Sequence, residues 1–320
     1  MTKALNKTTN GPGMKRPIRS ILAAGAVAAV LGGILAVLGG ILMWQADASE
    51  TVPLSRVSHI HGIAVDRQDP SRLYLATHHG VWRTAPDGTA ERVSADRSDY
   101  MGFTPHPIEP ATFYASGHPE GGGNLGVLVS RDGGRSWTQV ARGVNGSVDF
   151  HAMDVSPADP HVIYGLYGGV QVSRDGGKSW TITGTPPADI FDLAADPQEP
   201  DTVYAASRNG LMVSRDGART WRAATVWTRP ASLVQGTPDG TVYAFVVGVG
   251  LVKRSGPSGS WETVSDGFGD RVLLHLAADP ADRDRLFVVT QHSEILASAD
   301  GGRTWTRLSQ GSGQRDRRGS

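Results

Sequence analysis

One octapeptide recurs along the chain at an almost constant interval. Its four near-complete copies are Ser130–Trp137, Ser173–Trp180, Ser214–Trp221 and Ser298–Trp305, and Ser258–Trp261 keeps only the last part. Successive tryptophans of this series, Trp261 included, are 43, 41, 40 and 44 residues apart. Periods of about 40–45 residues that contain short alternating strands are typical of propeller blades, not of helical solenoids. The spacing therefore predicts an all-β propeller.

Each repeat reads as four short strands, here called A to D. Strand A carries small and apolar residues, a turn with Pro or Asp follows, and the octapeptide lies between strands C and D. Strand B carries one recurring aromatic residue: Tyr74, Tyr114, Tyr164, Tyr204, Tyr243 and Phe287. Six such residues predict six four-stranded blades over residues 51–310. The segment Thr51–Val57 reads as one further outer strand that helps to close the ring.

The N-terminal region differs sharply from the repeats. Residues 1–20 are basic and carry no acidic side chain, and residues 21–44 are uncharged and mostly apolar. A helix of that length spans roughly 36 Å, enough for a hydrocarbon core of about 30 Å. We expect residues 21–44 to form one transmembrane anchor in the cell membrane, with residues 1–20 in the cytoplasm. Residues 45–50 would then be a linker, and the propeller would lie outside the cytoplasm. Cleavage near Ala48 would secrete the same domain instead.

Composition excludes several kinds of chemistry. The chain has no cysteine, which removes disulfides, thiolate metal sites and a cysteine nucleophile. Lys and Arg together number 31, as do Asp and Glu, so the net charge does not indicate a nucleic-acid partner. Residues 311–320 are polar and glycine-rich, and we expect a disordered tail there.

The octapeptide resembles the Asp box, or BNR repeat, of sialidases and related propellers. The four copies fit the box residue by residue, with Asp at the turn, Gly after it and Trp at the end. The resemblance extends over nearly all of residues 51–310 and includes two groups. One comprises single-domain bacterial propellers labelled sialidase-like or glycosyl hydrolase, and the other comprises assembly factors of photosystem II. Asp accepts backbone N–H bonds in a tight turn and Gly supplies positive φ, so the box is a folding element.

Strand direction divides the loops between two faces. Neighbouring strands are antiparallel, so A–B and C–D turns share one face, and B–C and D–A loops share the other. The second face, around the central channel, is the expected ligand face. His106 and His161 fall in A–B turns, whereas the other eight histidines fall on the ligand face: His59, His61, His78, His79, His118, His151, His275 and His292.

Aligning the blades on the strand-B aromatic brings candidate metal ligands together. The predicted set is His59, His61, His78, Met101, His118 and His151, with Asp99 and Asp149 orienting the imidazole rings. Imidazole suits zinc, copper, iron or nickel, and the thioether of Met101 favours copper. We therefore expect this cluster to bind a metal ion, copper or zinc, or else a small polar ligand. The alternative is that these polar residues simply line a hydrated channel.

Two other functions stay open. A sialidase-like glycoside hydrolase that acts on extracellular glycans would use Asp99, Asp149 or Asp189 as its carboxylates. However, the first inner strand reads Ser58–Ile63 without the Arg-Ile-Pro motif of sialidases, and only Tyr100 and Tyr167 are available to face a ligand. Three arginines and one tryptophan of blades 4–6 offer carboxylate binding or sugar stacking on the same face: Arg208, Arg229, Arg271 and Trp227. The third possibility is a scaffold that binds a protein partner.

Overall fold

The computed structural model describes residues 50–186 and 189–308. They form six antiparallel sheets, one after another along the chain. Each inner strand lies against the inner strand of the next blade, and the last inner strand returns to the first. This arrangement confirms the predicted all-β, six-bladed propeller of four-stranded blades. The predicted membrane helix at 21–44, the basic segment before it and the tail at 311–320 lie outside the described residues.

The first three blades use strands β1 to β13. Blade 1 comprises β1 (Thr51–Pro53), β2 (Ile60–Val65), β3 (Leu73–Thr77), β4 (Gly80–Thr84) and β5 (Thr89–Arg92); blade 2 comprises β6 (Asp99–Pro105), β7 (Phe113–His118), β8 (Val127–Ser130) and β9 (Thr138–Ala141); blade 3 comprises β10 (Met153–Val155), β11 (Ile163–Leu166), β12 (Val170–Ser173) and β13 (Thr181–Gly184). A short 3-10 turn, Leu54–Arg56, follows β1.

The last three blades use strands β14 to β25. Blade 4 comprises β14 (Ile190–Ala195), β15 (Val203–Ser207), β16 (Gly210–Ser214) and β17 (Arg222–Ala223); blade 5 comprises β18 (Ala231–Gly236), β19 (Thr241–Val246), β20 (Gly250–Ser255) and β21 (Glu262–Ser265); blade 6 comprises β22 (Leu273–Asp279), β23 (Asp282–Thr290), β24 (Ile295–Ser298) and β25 (Thr306–Arg307).

Each near-complete copy of the octapeptide, called the Asp box below because of its resemblance to that motif, closes the turn between the third and fourth strands of its blade. In blade 2, Asp132 Oδ1 accepts hydrogen bonds from the backbone N–H groups of Arg135 and Ser136, and Asp132 Oδ2 accepts one from the Ser136 hydroxyl. Ser130 Oγ donates to the same carboxylate, and Trp137 Nε1 donates to the carbonyl oxygen of Gly134. The same pattern recurs around Asp175, Asp216 and Asp300. The box carboxylates are thus fully used in holding the turn, as the sequence predicts.

Hydrophobic side chains pack between adjacent blades. Between blades 1 and 2, Tyr74 and Phe103 both contact Phe113, and Trp137 of the Asp box covers the group. A fully buried aromatic or aliphatic side chain stabilises the fold by roughly 1.5–3 kcal/mol. These packed aromatic rings hold the neighbouring inner strands side by side, and the inner strands in turn determine the positions of the side chains around the channel.

The ring closes between blades 6 and 1 without a shared strand. Strand β1 pairs with β5 at the outer edge of blade 1, so all strands of blade 1 precede those of blade 2 in the chain. After it, Leu54 and Val57 pack into one buried cluster with Phe287 and Ile295 of blade 6. The predicted outer strand therefore contributes to closure through side-chain packing.

Candidate functional site

The two faces of the propeller carry the loops that strand direction predicts. In blade 2 the N–H of Gly133, in the Asp box, donates to the carbonyl oxygen of Ala111, in the A–B turn, at 2.9 Å. Gly176 and His161 make the equivalent bond in blade 3 at 3.0 Å. Asp boxes and A–B turns therefore share one face, and B–C and D–A loops lie at the opposite mouth of the channel.

Irregular pairing at the start of the inner strands sets which side chains reach that mouth. In blade 1 the register between β2 and β3 shifts at His61, and in blade 6 the register between β22 and β23 shifts at Leu274. Bulges of this kind turn one side chain away from the regular alternation. His61 and His151, which occupy equivalent positions relative to strand B, both line the central channel.

Three of the predicted ligands meet at the junction of blades 1 and 2. His78 Nδ1 lies 2.5 Å from Asp99 Oδ2, and His61 Nε2 lies 3.7 Å from Asp99 Oδ1. The rings of His61 and His78 are edge to face, with centroids 4.4 Å apart. We call His61, His78 and Asp99 the first junction group. The ring of His59 lies beside it, 5.0 Å from that of His78.

Two atoms of the first junction group are buried without a hydrogen bond. His61 Nε2 and Asp99 Oδ1 are out of contact with solvent, and neither has a hydrogen-bond partner among the described residues. Burial, opposed by the nearby Asp99 carboxylate and reinforced by the other histidines, lowers the pKa of His61 to about 4. The imidazole is therefore neutral near pH 7, with a lone pair on whichever ring nitrogen lacks the proton.

The remaining predicted histidines meet at the junction of blades 2 and 3. His118 Nε2 and His151 Nε2 lie 2.8 Å and 2.7 Å from the same oxygen, Asp149 Oδ2. The hydrogen bond to Asp149 is the main reason that the pKa of His151 is raised. We call His118, Asp149 and His151 the second junction group. In each junction group the donor atoms lie within 4.8 Å of one another.

Below the mouth, the channel wall carries buried polar groups. Asp154 Oδ1 accepts a hydrogen bond from the Thr104 hydroxyl, and Asp154 Oδ2 accepts one from the backbone N–H of Ala195. Burial raises the pKa of Asp154 to about 7. The sequence reasoning missed Asp154, although a carboxylate within an otherwise apolar inner strand, Met153–Val155, is a signal of a special environment.

Other predicted residues lie apart from the two groups. Asp189 is exposed and forms an ion pair with Arg208 at 2.7 Å. Met101 is buried in β6, at the position equivalent to His61, and its part in a metal site stays a prediction. Tyr167 is 42% exposed on the ligand face. The expectation that Tyr100 faces a ligand is wrong: it is 1% exposed, and its ring packs on Trp137.

The rim of blades 4–6 is largely satisfied by its own ion pairs. Arg271 Nε donates to Glu294 Oε2 at 2.9 Å, and Arg208 is paired as described above. Trp227 packs against the core between blades 4 and 5. This part of the rim therefore offers fewer unpaired polar side chains to a ligand than the side that carries the histidines.

No helix within residues 50–186 and 189–308 has the length and apolar character needed to cross a membrane.

Sequence comparison finds no matching family model and no matching curated protein. Solved structures do resemble the chain. The GH74 enzyme of Niastella koreensis has a TM-score of 0.56 and 18% identity, with 78% of this chain and 45% of that chain covered. The GH74 xyloglucanase of Xanthomonas campestris has a TM-score of 0.53 and 20% identity, with 82% and 47% covered. This chain thus spans about half the length of those two enzymes.

A structure of YCF48 bound to D1 peptide is similar over most of both chains. Its TM-score is 0.50 and its identity is 17%, with 82% of this chain and 86% of that chain covered. Identities at this level establish a shared fold and nothing finer. The sheet topology makes this chain a six-bladed propeller, and the comparisons show that it shares its fold with GH74 enzymes and with a protein solved in complex with a peptide.

Proposed function

We propose that this chain is a binding module, displayed outside the cytoplasm on an N-terminal membrane anchor, whose channel mouth holds a transition metal ion at the first junction group. The observation that carries the proposal is the pair of buried atoms without hydrogen bonds, His61 Nε2 and Asp99 Oδ1, which lie 3.7 Å apart. A buried polar atom without a partner costs about 1–3 kcal/mol. An ion between the two atoms would remove that cost for both.

The separation of the two atoms suits a shared ion. Zinc–nitrogen and zinc–oxygen bonds are about 2.0–2.2 Å long, so two ligands of one tetrahedral ion lie about 3.3–3.6 Å apart. A small movement of the Asp99 carboxylate would bring His61 Nε2 and Asp99 Oδ1 to that distance. His78 Nδ1 already lies next to the other oxygen of Asp99 and supplies a third donor.

The donor set indicates which ions fit. Two imidazoles and one carboxylate suit zinc, copper(II) or iron(II), and three protein ligands leave a position free for water or an external oxygen ligand. Coordination by the thioether of Met101 would favour copper. The bound ion would supply a Lewis-acid centre at the channel mouth, and the protein side chains would hold it in a partly dehydrated pocket.

The placement outside the cytoplasm rests on the sequence of the N-terminal region. Basic residues 1–20 followed by the apolar residues 21–44 fit a signal anchor with a cytoplasmic N-terminus. Cleavage near Ala48 would give a secreted propeller with the same metal site.

The glycoside-hydrolase alternative has less support at the site. A glycosidase of the usual kind needs two carboxyl groups that face each other across about 5–9.5 Å, one of which keeps its proton. Asp99, Asp149 and Asp189 each already have a basic side chain at hydrogen-bond distance. The similarity to GH74 enzymes lies in the fold. A pure protein scaffold would leave the buried donor atoms of the first junction group unexplained.

Metal analysis of the full-length chain tests the proposal. The protein is purified without a polyhistidine tag, exposed to zinc or copper, dialysed, and analysed for bound metal by mass spectrometry. A His61→Ala/His78→Ala variant is compared with a His106→Ala/His161→Ala variant, which removes two histidines from the opposite face. We expect the first variant to lose at least one equivalent of metal and the second to lose none. Equal and negligible metal in the wild type and both variants would refute the proposal.

A further inference from the structure

We infer that the second junction group binds a metal ion of its own, at the junction of blades 2 and 3, with a coordination position open to small oxygen or nitrogen ligands from solvent. This inference rests on the proposed function, because it adds a second ion to the one at the first junction group. It makes the channel mouth a two-metal surface in which the two ions occupy consecutive blade junctions and share no protein ligand.

The propeller repeat builds the same pair of side chains twice. His78 and His118 each stand four residues after the strand-B aromatic of their own blade. Asp99 and Asp149 each stand fifteen residues before the strand-B aromatic of theirs. His78 of blade 1 contacts Asp99 of blade 2 at 2.5 Å, and His118 of blade 2 contacts Asp149 of blade 3 at 2.8 Å. The imidazole–carboxylate pair thus recurs one blade further on.

The third ligand differs between the two groups. In the first junction group it is His61, which comes from the blade before that of Asp99. In the second junction group it is His151, which comes from the same blade as Asp149 and lies two residues after it. Each group therefore has three donor residues of its own, and no residue belongs to both groups.

The hydrogen bonds of His118 fit those of a metal ligand. His118 Nδ1 lies 2.8 Å from the carbonyl oxygen of Gly123, which can only accept, so Nδ1 carries the proton. His118 Nε2 faces Asp149 Oδ2, which is also an acceptor. A histidine that binds a metal characteristically donates its other N–H to a carbonyl or carboxylate oxygen. A cation held between Nε2 and the carboxylate would complete this arrangement.

Asp149 supplies a second, independent indication. Its side chain is buried, with 4% of the residue exposed, and its Oδ1 atom has no hydrogen-bond partner among the described residues. Both imidazoles approach the other oxygen, Oδ2. An ionised carboxylate buried in this way is costly unless a cation lies close to it. Widening the two N–O distances by about 0.5 Å would admit an ion at ordinary zinc bond lengths.

Exposure distinguishes the second junction group from the first. The side chains of His118 and His151 are 39% and 62% exposed, whereas those of His78 and His61 in the first group are 42% and 20% exposed, so His151 is the most exposed of the four imidazoles. An ion at the second group would therefore keep water in its coordination shell and exchange it with small ligands. Asn124, next to Gly123, donates a hydrogen bond to the hydroxyl oxygen of the exposed Tyr167, so an aromatic ring lies near this open side.

Zinc and cobalt(II) titrations of the full-length chain test the inference. Single variants His61→Ala and His151→Ala are compared with the wild type and with His161→Ala, whose exposed imidazole is paired with Asp159 on the opposite face. We expect two equivalents of zinc in the wild type and in His161→Ala, and one in either of the other variants. Loss of one of only three ligands should weaken the affected site by at least about 100-fold.

Azide added to the cobalt-loaded chain provides a readout that does not depend on stoichiometry. We expect azide to shift the visible absorption bands of the His61→Ala variant, which keeps only the ion at the second junction group, and bands that azide leaves unchanged in this variant would overturn the open coordination position there. Circular dichroism of each variant confirms that the propeller is intact.

The outcomes separate the two proposals. One equivalent in the wild type that disappears in His61→Ala and persists in His151→Ala would overturn the second site and leave the first. One equivalent that disappears in both variants would show a single shared ion and would also overturn the inference. No metal in any of the four proteins would refute the proposed function itself.

Discussion

Asp154 of blade 3 accepts a 2.9 Å hydrogen bond from the backbone N–H of Ala195 in blade 4, and this carboxyl group links the two inner strands across the channel wall. Burial raises the pKa of Asp154 to about 7, well above its ordinary value near 3.8. The folded chain therefore keeps a proton on this group at pH values at which the unfolded chain has released it.

A pH series on Asp154→Asn tests this state. Between pH 5 and pH 7 the wild-type Asp154 should lower the free energy of unfolding by about 1.4 kcal/mol per pH unit, and above pH 7 the effect should level off. The asparagine variant lacks this dependence. Urea unfolding of both proteins with a chelator present, at pH 5, 6, 7 and 8, gives the free energy of unfolding of each. The opposing contribution of the histidines is common to both proteins and cancels in the difference between the two free energies. Parallel stability curves would contradict the prediction.

Gly117 is expected to be essential to the geometry of both junction groups. It lies in the left-handed region with φ of +124°, and a Cβ atom there would collide with the carbonyl oxygen of Asp99. Gly117→Ala should therefore lower the free energy of unfolding by about 3 kcal/mol and displace both Asp99 and His118. Gly121, whose Cβ would meet nothing within 4 Å, provides the control. Thermal unfolding of both variants makes the comparison, and equal stability of the two would count against it.

The Asp box should be important for stability and irrelevant to metal binding. Asp175 accepts hydrogen bonds from Ser173 Oγ, Ser179 Oγ and the backbone N–H groups of Lys178 and Ser179. Asp175→Ala removes all four and should cost about 3 kcal/mol, whereas Asp175→Asn keeps an acceptor oxygen and should cost about 1 kcal/mol. Denaturant unfolding measures both. An unchanged zinc stoichiometry in the folded variants is expected, because the box lies on the opposite face.

Metal binding should stabilise the propeller. At a free zinc concentration 100 times the dissociation constant, one site adds about 2.7 kcal/mol, which should raise the Tm by about 5–10 °C. A His61→Ala/His151→Ala variant should show no such increase, and a chelator should reverse the increase in the wild type. A similar rise in Tm in the double variant would place the stabilising ion elsewhere.

Much of the architecture could be predicted because the propeller repeats itself. The spacing of Trp137 and Trp180 gives the length of a blade, and strand direction then places His61 and His118 on one face. The aligned positions also identified five histidines, one methionine and two carboxylates near one mouth. The prediction did not resolve them into two groups, because the contact between His78 and Asp99 crosses a blade junction, and the distance across a junction depends on side-chain packing.

Two local features escaped the sequence reasoning for a related reason. Tyr100 stands next to Met101 on β6, and neighbouring side chains of a strand face opposite sides. Tyr100 therefore enters the blade interior and packs on Trp137. Asp154 lies among apolar residues, and its role depends on the N–H of Ala195, which is 41 residues away in the chain. Such a partner becomes visible only once adjacent blades are in place.

Each blade of this propeller is made from one uninterrupted stretch of chain, and blades 6 and 1 meet through side chains such as Phe287 and Leu54. The arrangement of the blades around the ring therefore does not depend on which blade comes first in the polypeptide. A circular permutant opened in the loop between β17 and β18, with a short peptide joining residues 308 and 50, would still contain six whole blades. Strand β18 would then be the first strand and β17 the last, so the new ends of the chain would lie between blades 4 and 5 and away from the histidine-bearing junctions.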